Sequence, residues 1–100
     1  MFENRTILLQ NTDKWGAIYS ADWQSLIGID RKRFNCEHYR IRDGVMRIAA
    51  NAFLGCESLK SIYIPDSVII DDGCLCERCN NLEYARLSKN MRYPGIAMFN

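Results

Sequence analysis

Apolar positions in this chain fall into short alternating stretches separated by turn residues. Leu59-Lys60-Ser61-Ile62-Tyr63-Ile64-Pro65 alternates with period two and stops at a proline, which cannot donate to a strand ladder, so it predicts a short strand. Sliding the chain against itself until Cys56 falls on Cys79 repeats the pattern. The same shift sets Leu59 on Leu82, Ile62 on Ala85, Ile64 on Leu87 and Val68 on Met91. Upstream, Tyr39, Ile41 and Val45 precede Ile62, Ile64 and Val68 by the same step. Downstream, Ala97 and Phe99 follow Cys74 and Cys76, which themselves follow Asn51 and Phe53. Apolar character is kept at most of these positions while the polar residues between them vary, as in repeats whose apolar positions stack from one unit to the next.

The equivalent strands are 36–41, 59–64 and 82–87. Ahead of the middle one, the alanine-rich stretch Ile48 to Leu54 closes on Gly55, which predicts one to two helical turns. The expected fold is therefore an α/β repeat, a short right-handed solenoid of strand plus short helix. Residues 1–100 read as a single domain, with a hairpin or cap region over 1–35 and about two and a half 23-residue repeats over 36–100.

These residues carry a resemblance. Ile48 to Val68 resembles the repeat of the BspA-like leucine-rich repeat family, Ile-Gly-x-x-Ala-Phe-x-x-Cys-x-x-Leu-x-x-Ile-x-Ile-Pro-x-Ser-Val, and departs from it only where Ala49 stands for glycine. Gly16 to Ile27 is similar to a hairpin that such proteins insert before a repeat, Gly-x-Leu-Tyr-Ser-x-Asp-x-x-x-Leu-Ile. The next repeat is degenerate: Cys76 replaces the phenylalanine, Ser88 the proline, and Asp71-Asp72-Gly73 the usual Ile-Gly turn. The resemblance spans residues 15 to about 99. It implies a non-catalytic adhesion or protein-interaction module, a right-handed stack of strands and short helices behind an N-terminal β-hairpin cap, often found on bacterial or protozoan surfaces.

Composition narrows the function classes. The 100 residues are 48% hydrophobic and 11% aromatic, enough material for one core. The formal net charge of +1 lacks the cationic excess of a nucleic-acid binder. No apolar run approaches the roughly 20 residues of a membrane span. The N-terminal apolar stretch, Ile7-Leu8-Leu9, is too short for a secretory signal. The expectation is a cytoplasmic location, with cell surface or secretion as the alternative implied by the resemblance.

Candidate chemistry is sparse. Cys74, Cys76 and Cys79, with Cys36, Cys56 and His38, supply enough soft ligands for zinc, and this metal- or thiol-dependent protein is the alternative function. Core packing is the competing reading, because Cys56 and Cys79 stand in the repeat's cysteine column and Cys76 in its phenylalanine column; only Cys74 lacks a core explanation, and a disulfide is the third option. No acid, base and nucleophile converge and no phosphate loop is present, so neither enzyme activity nor a cofactor is expected.

Stacked strands instead place His38, Ser61 and Tyr84 in one outward column and Arg40, Tyr63 and Arg86 in another. Tyrosine and arginine are enriched at interface hot spots, so this strip is the expected contact for a protein or glycan ligand, with a merely solvated sheet face as the alternative. Residues 31–47 carry six cations against two anions, and 66–83 five anions against one cation. Together with an uncapped C-terminal end near Ala97 to Phe99, this polarity predicts a homodimer through that end, or a truncated chain.

Overall fold

The structure, a computed structural model, describes residues 10–91. Its first elements form an antiparallel unit. β1 (Gln10–Thr12) pairs with β2 (Ala17–Ser20), and β2 with β3 (Ser25–Ile29). The turn between β2 and β3 is built by short polar side chains. Ser20 Oγ donates to Asp22 Oδ1 at 2.7 Å, the Gln24 N–H donates to the same carboxylate, and the Ser25 N–H donates to Ser20 Oγ. A bulge between Ile18 and Tyr19 shifts the register so that Tyr19 faces Leu26, and both side chains are fully buried.

The remaining strands pair in parallel. β5 (Arg47–Ile48) adds to β3, and β7 (Ile70–Asp71) adds to β5, completing a five-stranded sheet of order β1-β2-β3-β5-β7. β4 (His38–Arg40), β6 (Ser61–Tyr63) and β8 (Tyr84–Arg86) form a second, three-stranded parallel sheet. Its register runs His38 to Ser61 to Tyr84 and Arg40 to Tyr63 to Arg86, so each partner is the equivalent position of the next repeat. Backbone bonds continue the ladder past the strand ends: the Ser61 N–H donates to Glu37 O at 3.0 Å, Glu83 N–H to Lys60 O at 2.7 Å, and Ile64 N–H to Arg86 O at 2.8 Å.

The expected right-handed solenoid of strand plus short helix is not the fold. Among the described residues there is no helix, and the strands gather into two sheets, one of them mixed. The 48–54 stretch expected as helical begins as strand β5 and continues as turns. Asn51 and Gly55 both take positive φ, at 61° and 67°, which breaks helical propagation. The N–H groups of Asn51, Phe53 and Gly55 donate to the carbonyls of Gly73, Leu75 and Glu77 rather than to the preceding turn of their own segment. Non-local pairing thus overrides the alanine propensity. The stretches expected at 7–9 and 97–99 lie outside the described residues.

One buried cluster draws on both sheets and the turns between them. Ile41, Ile48, Phe53, Leu59, Ile64, Leu75, Val45 and Val68 are all fully buried. Phe34, Tyr39 and Phe53 pack ring on ring, with centroids 5.3 to 5.8 Å apart. The hairpin is tied to β4 by a polar chain. The Arg42 N–H donates to Tyr19 Oη at 3.2 Å, the Tyr19 hydroxyl donates to Tyr39 Oη at 2.5 Å, and the Tyr39 hydroxyl donates to Asp13 Oδ2 at 2.5 Å. Burial pushes both phenols up from their ordinary range, so each keeps its proton as donor.

These contacts generate two stability predictions. Tyr39→Phe leaves the buried Tyr19 hydroxyl without its acceptor and removes a charge-assisted bond to Asp13, so the unfolding free energy is expected to fall by about 1–3 kcal/mol. An unchanged denaturant midpoint refutes that role. Gly16→Ala is expected to cost more than about 1 kcal/mol. Gly16 has φ of +101°, and a Cβ there would stand 3.1 Å from both Arg33 Cβ and Phe34 N. A thermal midpoint equal to that of the parent chain would show that the turn relaxes freely.

Candidate functional site

The face of the three-stranded sheet opposite the core is set by strand alternation. Tyr39 and Ile62 turn inward and are at most 4% exposed, so their neighbours turn outward. The parallel register brings all six sequence-predicted strip residues together, and His38, Arg40, Ser61, Tyr63, Tyr84 and Arg86 line one shallow depression of about 200 Å³. Their environments differ. Tyr84 is 63% exposed, whereas Ser61 is buried at 6%.

The second column is locked by cation–π contacts. The Arg40 guanidinium lies 4.0 Å and that of Arg86 4.6 Å from the Tyr63 ring centroid. Arg86 is held further: Nη1 donates to Ile64 O at 2.8 Å and stands 3.0 Å from an Asp66 oxygen. Asp66 also accepts from the Lys89 N–H at 3.0 Å; that bond, and then the bond from Arg86, hold its carboxyl below the usual range. Arg40 pairs with exposed Asp43 at 3.5 Å. The result is an arginine–tyrosine surface in which both guanidiniums contact the Tyr63 ring, with Arg86 held by two further partners and Arg40 by one exposed ion pair.

In the first column, His38 Nδ1 and Ser61 Oγ are 2.7 Å apart. A serine beside a histidine raises the question of nucleophilic catalysis. Among the described residues, no carboxylate bonds the other ring nitrogen of His38, and the hydroxyl is buried rather than presented to a substrate. The arrangement can hold a surface in shape and offer a hydrogen bond. It does not assemble a triad.

Cys56, Cys76 and Cys79 are buried; Cys36 and Cys74 are half-buried; all five are free thiols. The Cys79 thiol donates to Phe53 O at 3.0 Å. The hydrogen bond between Cys76 and Cys79, together with burial, pushes the Cys76 thiol up, while the same bond holds the Cys79 thiol down to about 7. Cys74 has positive φ, 56°, and stands one repeat after left-handed Asn51. Its place is a turn rather than the core. Among the described residues, no group of three or more His, Cys, Asp or Glu side chains is placed to hold a metal ion.

Sequence reasoning missed a recess between the hairpin and β4, bordered by Trp15, Trp23 and Arg42. Those residues do not share the repeat spacing, so nothing in the repeat pattern joins them. No described helix is long and apolar enough to cross a membrane.

Comparison with known proteins adds one finding. No curated protein and no solved structure matches the chain significantly. Residues 29–100 match the family model described as BspA type Leucine rich repeat region (6 copies). The match takes in β4 to β8 and covers well over half of the sequence, so the chain belongs to the BspA-type leucine-rich repeat family.

Proposed function

We propose that the chain, acting as a single domain, is a non-catalytic interaction module that takes a protein ligand on the exposed face of β4, β6 and β8. The observation that carries this reading is Tyr63, in register with Arg40 and Arg86 and contacted by both guanidiniums, on the face that also presents His38 and Tyr84. Interfaces draw most of their energy from a few such aromatic and arginine side chains, and little ordering entropy is left to lose where they are already fixed. Membership in a repeat family supports a binding role. A glycan is the competing ligand for the same face.

Among the described strands β8 is an edge, which favours a second contact, with another copy of the chain. Tyr84 and Arg86 bond β6, so by alternation the N–H and C=O of Ala85 point away from it. Leu82, Tyr84, Ala85 and Leu87 border an apolar hollow of about 280 Å³ beside that edge. An antiparallel copy paired about Ala85 satisfies both backbone groups.

Two measurements test these contacts. For a protein ligand selected against the parent chain, Tyr84→Ala, at an exposed position that the fold does not need, is expected to weaken binding by about tenfold or more; equal affinity rejects the face. For self-association, sedimentation is expected to show mass doubling with rising concentration. Ala85→Pro removes the outward N–H and should abolish it with the thermal midpoint kept near that of the parent chain, and a parent chain that is monomeric at all concentrations sinks the contact.

A further inference from the structure

The sequence contains two tryptophans, and both border one recess of about 250 Å³ between the hairpin and β4. Trp15 is 47% exposed and meets Tyr39 edge-on, with centroids 6.1 Å apart and planes at 79°. Trp23 packs against the Tyr19 ring at 5.4 Å. Its φ is +63°, a left-handed conformation that a bulky side chain rarely takes, and the backbone bond to Ser20 O at 2.9 Å keeps it there. The bend aims an indole into the recess at a conformational cost, and strained residues of this kind concentrate at binding sites.

The charges of the recess are unevenly matched. Asp13 is internally satisfied: Oδ1 accepts from the N–H groups of Trp15 and Ala17 at 2.9 Å, and Oδ2 from the Tyr39 hydroxyl. The Arg42 guanidinium lies over Trp23 at 4.1 Å, and it forms no ion pair with a carboxylate among the described residues. Arg40, at the same rim, divides its contacts between Tyr63 and Asp43. Trp23 is taken up by Arg42 and Tyr19, and Lys14 Nζ lies 4.7 Å over the Trp15 ring, so the capacity left among the described residues is the Arg42 guanidinium beside the remaining surface of the Trp15 indole. A cationic ligand would meet two guanidiniums and the Lys14 ammonium already over Trp15, so the site does not favour an ammonium ligand of the kind that aromatic cages bind.

A ligand that uses all of this carries a carboxylate on a compact ring with an apolar face. The volume lies below the roughly 300–1,000 Å³ of pockets for drug-sized molecules, so one ring fills it. We propose that the recess binds a carboxylated pyranose, a uronic or sialic acid residue, with its C–H face against Trp15 and its carboxylate forked by Arg42. Arginine suits this part because its planar donors match a carboxylate two at a time. An aspartate or glutamate side chain would reach the guanidinium and leave the indole uncovered. The recess borders the β4-β6-β8 face at Arg40, but its proposed contacts, Trp15 and Arg42, lie outside the strip, so the two readings fail independently.

Since Trp15 and Trp23 are the chain's tryptophans, intrinsic fluorescence reports the site directly. Titration of the full chain with N-acetylneuraminic acid and with glucuronic acid is expected to give a saturable change with at least one of them, and none with glucose. Trp15→Ala and Arg42→Ala, both at exposed positions, should each weaken that binding at least tenfold, with near-ultraviolet circular dichroism unchanged outside the lost indole signal. No saturable response to either acid overturns the proposal. Equal binding by glucose, benzoate or triglutamate overturns the assigned ligand chemistry, and undiminished binding by both variants overturns the site.

Discussion

A constant offset between hydrogen-bonded partners, one repeat in length, governs the second half of the molecule. His38, Ser61 and Tyr84 are successive partners in one ladder, and Arg47 and Ile70 in the other, so one periodicity sets two sheets at once. Because the strands are parallel and in register, each residue type is presented beside its own equivalents. The buried positions Ile41 and Ile64 and the outward positions Arg40, Tyr63 and Arg86 follow from that single offset. A slip of one residue would turn Tyr39 and Ile62 outward and carry the arginines into the core.

That offset was legible in the sequence, and with it the company kept by the strip residues. Local conformation was less so. The helix expected over 48–54 rested on alanine content, a preference of a few tenths of a kcal/mol per residue. In the fold, Asn51, Phe53 and Gly55 each gain a backbone bond to the segment from Gly73 to Glu77, and left-handed Asn51 and Gly55 turn the chain toward it. The same turn recurs at Cys74 and Arg78, also left-handed, which explains why Cys74 had no place in the core. No propensity scale contains that information, since the partners that stabilise the turn lie in the next repeat.

Side-chain chemistry along the strip shows a similar limit. Alternation predicts that Ser61 and Tyr84 share a face, and they do, yet one is buried and the other is among the most exposed aromatics. The difference comes from neighbours on adjacent strands. His38 lies against Ser61 on one side, whereas β8 is an edge among the described strands. The recess at Trp15 and Trp23 was invisible for another reason: its walls come from the non-repeating hairpin and from the loop after β4, and their meeting depends on the Tyr19–Tyr39–Asp13 hydrogen bonds.

The two surfaces also differ in what they have left to offer. On the β4-β6-β8 face the guanidiniums are already engaged, Arg86 with Asp66 and Ile64 and Arg40 with Asp43, and both with Tyr63. An anion arriving there would have to displace bonds that exist, so the face is suited to recognition by shape and aromatic contact rather than by charge. In the recess the carboxylate accepts from its own neighbours while, among the described residues, Arg42 pairs with no carboxylate and lies against an indole. An exposed guanidinium against an aromatic ring, with no carboxylate paired to it among the described residues, leaves a bidentate ion pair for a ligand to make. The repeat therefore builds a surface whose polar groups are spent on rigidity, and the hairpin, outside the repeat, builds one whose charge is unspent.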